Sequence, residues 1–574
     1  MIDLRHLRER KLGQWAAAYL AGAWLLLQLL DLVSDSFALS QSVGRIAIIL
    51  LSVGFLAVLV IAWYHGEKGA QRVGGVELLM LTGILAIAAA AVGFLGRPAP
   101  RTAADAPAAT ARPVVEQSSI AVLPFVNMSA EAAQEYFSDG LTEEILNVLA
   151  QLPQLRVASR TSAFAFKGKD VGIDSIGRAL RVAHVLEGSV RTAADRVRVT
   201  AQLIDAVSGY HLWSDNYDSD LRDIFAVQDS ISRAIVTALK LKLTAGAGEA
   251  PLAREQTRDP EAHRLLLQGL AVSRPGTREA LAEGAALLRR AIARDPRFAR
   301  ARAELAGILV IQSYFRYIPR EDGYEAARAE AKRALELDPA SAEANSALGK
   351  IADWRDWDWA SAEQYYARAL AANPNRARTL SDRAWLLMRL GRTDEALAQS
   401  RRAVELDPLS TGMISNLGSM YVYAGNLERA IQTYRDGMAL ETSERSIFLP
   451  NITLVLADLG RDQEAVNTGL RAVQTDTADW LAAACLGYAY ARAGSRREAE
   501  AVLRKLEGRD DVSPYYFAMM HAALGRKDRA LALLEQAVNE RDDFAADIAV
   551  DPVLKDLRGD PRLEQILDKA GLPH

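Results

Sequence analysis

Three long apolar runs occupy the first hundred residues, at 15–33, 46–64 and 78–95, each close to the ~20 residues that cross a ~30 Å hydrocarbon core as helix. Their interiors are almost free of charge, and Trp15, Tyr19, Trp24, Trp63 and Tyr64 suit an interfacial belt. Arg5, Arg8, Arg10 and Lys11 precede the first run and Lys68 and Arg72 separate the second from the third, whereas Arg45 alone lies near the intervening outer loop. Because basic residues stay on the cytoplasmic side, this bias predicts a cytoplasmic amino terminus. Three crossings then carry everything after residue 95 to the far side, the periplasm if the membrane is a bacterial inner membrane. Residues 1–96 thus read as a multi-pass anchor, and 97–115, rich in Ala and Pro, as an extended spacer.

Between 116 and 245 the pattern alternates between strand and helix. The short apolar run Ile120 to Phe125 suits a buried strand. Leu141, Ile145, Leu149 and Leu152 recur at helical spacing until Pro153 ends the run. Residues 155–159 and 185–190 read as further strands around a short helix at 175–183. Over 196–203, Val197, Val199, Ala201 and Leu203 alternate with Arg196, Arg198, Thr200 and Gln202, the mark of a strand buried on one face. A strand at 210–217 and a helix at 221–243 complete the order β-α-β-α-β-β-β-α. The segments SIAVLPFVNMSAEAAQEYFSDGLTEEILNVLAQL, RVASRTSAFAFKGK, HVLEGSVR, VRVTAQLIDAVSGYHLWSDNYD and DIFAVQDSISRAI resemble the TolB-like (FlgO-like) domain family of bacterial envelope proteins. The resemblance implies a docking domain followed by tetratricopeptide repeats. In relatives of this kind a membrane helix often joins it to a cytoplasmic cyclase or DNA-binding domain. Few residues precede Trp15 here, so such an output is expected from a separate protein.

Beyond a second linker, 246–258, Gly391, Gly425, Gly460, Gly494 and Gly525 recur at intervals of 34, 35, 34 and 31. Each is followed five residues later by an alanine: Ala396, Ala430, Ala465, Ala499 and Ala530. Glycine ends the first helix of a pair, the small alanine lets the second approach it, and a period near 34 is that of tetratricopeptide repeats. About eight repeats are expected over 259–541, closed by a cap at 542–574. Stacked pairs curl into an all-α superhelical solenoid whose concave face binds proteins. Its expected lining is Ser346, Lys350, Asp353, Asp382, Trp385, Arg389, Asn416, Ser419, Tyr423, Asn451, Asp458, Tyr488 and Arg492. Trp354, Trp357 and Trp359 crowd one turn and form either an aromatic hot spot for a partner or a plug between helices.

Charge and chemistry narrow the function. With 68 Lys and Arg against 72 Asp and Glu, the net charge of -4 offers no general attraction for nucleic acid. One cysteine, Cys485, excludes disulfide frameworks and thiolate metal cages. Glu143 and Glu144 suggest an acid/base pair, but their expected place near a helix start favours complementing the helix dipole. His184, Glu187 and His211 match no metal-site spacing. No hydrolase elbow, phosphate loop or dinucleotide fingerprint is present in a supporting context. No catalytic, cofactor or metal site is therefore expected, and the chain is expected not to be an enzyme. It reads as an inner-membrane envelope scaffold, α+β by parts, that binds protein partners through the repeat groove and self-associates through the TolB-like domain or membrane helices. The alternative is a transmembrane signalling receptor acting on a separate cytoplasmic effector.

Overall fold

A computed structural model describes 118–573 except 130–134, 194–195, 221–222, 240–255, 442–445, 476–478 and 510, together with Tyr19, Ala23, Leu51 and Phe55. The chain divides into two units, 1–111 and 112–574. In the first, the four described residues are helical, the Tyr19 hydroxyl donates to the Leu51 carbonyl at 2.8 Å, and the Tyr19 and Phe55 rings lie 5.8 Å apart. The three apolar runs otherwise fall outside the described residues. Among the described residues no helix is long and apolar enough to cross a membrane.

The second unit opens with a six-stranded sheet: β1 (Ser119–Val122), β2 (Val126–Asn127), β3 (Arg156–Val157), β4 (His184–Ala193), β5 (Arg196–Asp205) and β6 (His211–Asp220). The strand order is β3-β1-β4-β5-β6, with β2 beside β4. β1 pairs in parallel with β3 and β4, and β4, β5 and β6 form an antiparallel meander. Helices α1 (Glu135–Ala150), α2 (Arg160–Phe164), α3 (Ile173–Leu180) and α4 (Ile224–Ala238) surround it. Ile120 and Val122 of β1 face a core built with α1 and α4, while Ala121 faces one built with α3. Covered on both faces, β1 is apolar without alternation, whereas β5 alternates because one face stays wet. β2 and α2 add to the elements expected from the pattern.

Eight antiparallel helix pairs follow, from Pro260–Ser273 with Arg278–Arg294 to Pro514–Ala523 with Lys527–Asn539. Close packing within pairs depends on small residues. A Cβ on Gly349 would lie 2.6 Å from the Tyr366 ring, and one on Gly418 2.1 Å from the Tyr434 ring.

The sheet region sits on the turns between successive pairs. Asn375 donates to the carbonyls of Ala150 (3.0 Å) and Leu155 (2.8 Å) and accepts from Val157 N–H at 3.4 Å. Asp407 accepts from the Ser162 hydroxyl (2.6 Å) and N–H (3.1 Å), and Ser159 N–H donates to the Leu406 carbonyl at 2.6 Å. Along α1, Asp139 pairs with Lys167 (2.6 Å) and Arg274 (2.7 Å), Glu143 with Arg160 and Arg274, and Glu144 with Arg300. Glu143 and Glu144 therefore lie well inside α1 and hold the sheet region to the array; the expected dipole role is corrected, because the helix starts earlier than its apolar period reveals. Burial pushes the Glu144 carboxyl upward, opposed by the Arg300 guanidinium.

Candidate functional site

The first helix of each pair faces inward, and tyrosines from the second helices reach the same face. Tyr366 donates to Asp353 at 3.2 Å, the Tyr434 hydroxyl lies 3.1 Å from that of Ser419, and Tyr488, itself on a first helix, donates to Asp458 at 2.8 Å. Gly349 and Gly418 make the first two contacts possible by letting the rings pass beneath them. At the centre, Arg389 bridges Asp353 and Asp547, both at 2.7 Å. Burial pushes the Asp353 carboxyl up to about 6 even with that guanidinium beside it.

The expected open groove is corrected by the chain's own continuation. After the eighth pair, residues 541–556 run back across the concave face as an internal strap. The Arg541 guanidinium donates to the carbonyls of Arg355 (3.1 Å) and Asp356 and lies over the Trp357 ring. Asp543 accepts from Arg320 (2.8 Å), Asp551 from the Tyr515 hydroxyl (2.6 Å), and Asp556 from Arg492 (2.9 Å), while Lys555 pairs with Asp458 at 2.9 Å. Ala545, Ile548, Val553 and Leu554 are buried between these polar contacts. The strap covers the groove because its apolar side chains gain by burial what an open concave face would leave wet. Only the final helix, Pro561–Ala570, packs as an end cap, with Arg562 on Asp528 at 2.8 Å.

Ser346, Asp353, Asp382, Arg389 and Tyr488 are consequently buried rather than open lining. Ser346 accepts from Thr379, and Lys350 pairs with Asp382 at 3.2 Å and lies over Trp354. What remains of the groove is a cavity of about 390 Å³ that gathers Asp353, Trp354, Trp357, Asp382, Trp385, Arg389 and Asn416. A space of about 80 Å³ holds Ser419, Tyr423, Asn451 and Asp458. Lys350, Tyr488 and Arg492 line neither. Trp359 is a buried plug stacked on Trp357, whereas Trp354 packs on Tyr314 and shares the larger cavity with Trp357. The plug reading of the tryptophan cluster thus describes Trp359, while Trp354 and Trp357 line the cavity. Asp543, Phe544, Asp547 and Asp551 were missed as functional candidates; their acidic spacing of four, just where the repeat period breaks, was the available signal.

His184 directs Nδ1 at the Ser119 carbonyl, 3.1 Å away, a contact that ties adjacent strands. Cys485 is fully buried, and burial pushes its thiol far up.

A tetratricopeptide-repeat family model matches residues 377–408, the pair Ala377–Arg389 and Thr393–Leu406. The chain is 47% identical over 188 residues to "Putative adenylate cyclase 3" of Rhizobium meliloti (strain 1021), covering 33% of this chain and 32% of that protein. It is 29% identical over 102 residues to Hsp70-Hsp90 organizing protein 3 of Arabidopsis thaliana, 18% of each chain. The matched stretches thus span about a third or less of these relatives' own length. A solved tetratricopeptide repeat protein from Parabacteroides merdae is 19% identical and covers 46% of this chain and 98% of its own, at a TM-score of 0.33. The cyclase relative overturns the expectation that the chain is not an enzyme, since a third of it is shared with a protein named for a catalytic activity. Together with the stacked helix pairs, the family match establishes the carboxy-terminal half of the chain as a tetratricopeptide-repeat solenoid.

Proposed function

We propose that this chain is an inner-membrane-anchored envelope scaffold, its amino terminus cytoplasmic and its sheet region and repeats periplasmic. The sheet region acts as a TolB-like docking domain, and the repeats bind a protein partner. The single observation that supports the reading best is the polar seam of Asn375, Asp407, Asp139, Glu143 and Glu144, which joins domain and array into one body. A partner then meets both as a continuous surface. The part of the groove left for it is the cavity around Trp385 and Asn416, where partly exposed aromatic and amide groups offer an anchor and a hydrogen bond. Self-association belongs to the docking domain or the apolar runs.

Photo-crosslinkers placed at Trp385 and at Asn416 in the native host test the partner surface, with the exposed Glu498 as control. The same protein adduct from the first two positions and none from the third supports the scaffold; no position-dependent adduct refutes it. Reporter fusions after Pro113 test the topology, and cytoplasmic reporter activity there refutes a periplasmic array.

A second reading is favoured by the 47% identity to the cyclase relative. In it, the domain and repeats form the sensing part of a signalling protein whose output is cyclic nucleotide. Cellular cyclic AMP that is unchanged on deleting and on overexpressing the gene would exclude it.

A further inference from the structure

One position of the repeat joins its two helices in left-handed backbone, and at six pairs glycine fills it: Gly276, Gly391, Gly425, Gly460, Gly494 and Gly525. Glycine is expected there, because a Cβ strains this conformation. The two exceptions are Arg316 (φ 55), which is exposed, and Trp357 (φ 56), and each lines a cavity. Strained residues of this kind persist where the side chain has a task.

Arg316 belongs to the larger cavity, about 800 Å³, between the second pair and the last two. One wall is aromatic: Phe315, 54% exposed despite its apolar ring, with Trp480 and Phe517 across from it. The polar wall is rich in unused donors. Among the described residues neither Arg316 nor Arg529 forms a salt bridge, although Arg316 lies close enough to Asp542 and Asp543 to stabilise their charge, and the Nδ1 of His521, a side chain 9% exposed, is buried without a hydrogen bond. Two of the carboxylates at the same cavity are paired with arginines and two accept from neutral groups. Asp511 holds Arg509 (2.7 Å), Asp543 holds Arg320 (2.8 Å), Asp542 accepts from the Ser513 hydroxyl (2.8 Å), and Glu540 accepts from Gln536 (2.9 Å). Glu507, Glu540 and Asp542 therefore keep a negative charge with no salt-bridged cation among the described residues, so an anion here depends on meeting Arg316 and Arg529 directly.

We propose that this cavity is a binding site for a planar aromatic anion of mononucleotide size. Its ring lies against Phe315 and Trp480, and its phosphate or carboxylate is held by Arg316 and Arg529 with His521 beside them. Guanidinium forks match such oxyanions, and the volume falls in the range of small-ligand sites. Burial, with Arg526 and Arg529 nearby, holds His521 below its ordinary value, so a neutral ring fits beside the two arginines without adding repulsion.

The test uses the purified full chain in detergent and follows Trp fluorescence and calorimetry with four probes: AMP, indole-3-acetate, adenosine and inorganic phosphate. AMP and indole-3-acetate are expected to bind at least about tenfold more tightly than adenosine or phosphate, since only they join a ring to an anion. Arg316→Gly is the diagnostic variant: it relieves the left-handed strain, so its melting midpoint holds or rises, while AMP affinity falls at least about tenfold. Arg529→Gln and Phe315→Ala are expected to weaken AMP similarly. Equal affinity for adenosine or phosphate, no AMP binding at millimolar concentration, or an Arg316→Gly variant that binds AMP like the parent overturns the proposal. The partner crosslinks at Trp385 are a separate readout and stand or fall independently.

Discussion

Replacing Asn375 by alanine should release the sheet region from the repeats while leaving the repeats folded. The side chain is 7% exposed, and its amide serves the carbonyls of Ala150 and Leu155, while its oxygen accepts from Val157 N–H. Each buried group left without a partner costs about 1–3 kcal/mol, and the 3.4 Å contact contributes least. The two shorter contacts sum to about 2–6 kcal/mol, a large share of the ~5–15 kcal/mol that holds a domain together. Hydrogen exchange read by mass spectrometry should show protection across 148–157 falling by about thirtyfold or more, the ratio for ~2 kcal/mol. Peptides from 480–506, remote from the seam, should keep theirs. Asn375→Asp sharpens the test: nearly the same shape, but a carboxylate set against two carbonyls, so it should be at least as damaging as alanine. A near-parental Asn375→Asp, or an equal loss of protection across 480–506, would refute the reasoning.

Other expectations follow from packing and titration. Gly418→Ala places a methyl 2.1 Å from the Tyr434 ring and should destabilise the fifth pair by about 1–3 kcal/mol, visible as faster exchange over 411–438. Burial pushes Asp551 up to about 7, aided by the carboxylates of Asp547 and Asp458 and opposed by its hydrogen bonds from Tyr515 and Val553. A carboxyl raised in the fold contributes stability that is full below its unfolded value near 4 and is lost as pH rises through about 7. Protease protection of the strap should therefore be greater at pH 5.5 than at pH 8, and Asp551→Asn should flatten that slope. Cys485, fully buried with its thiol pushed up, should resist maleimide in the native chain and react at once in denaturant; fast native labelling would contradict the packing.

The local rules of the chain were legible wherever one residue type answers one backbone or packing need. Gly391, Gly425, Gly460, Gly494 and Gly525 are at positive φ, and the alanines five residues on are fully buried, so the repeat announced itself. The same reading found the doubly covered β1 and the one-sided β5. Arg316 and Trp357 occupy the glycine position in two pairs, which is why the period looked loose before residue 391. Glu143 and Glu144 looked like helix-start acids because the first turns of α1 carry little apolar signal.

The sequence by itself determined the repeat, the small sheet and the apolar runs, because each is written in contacts a few residues apart. Tertiary structure alone decided the state of the groove. Arg389 meets Asp547, Arg320 meets Asp543 and Asp407 meets Ser162 across 158, 223 and 245 residues. Those meetings depend on the accumulated curvature of eight stacked pairs, a sum of small rotations that no local pattern encodes. Arg389, Asp458 and Arg492, expected to face a partner, therefore face the chain's own return.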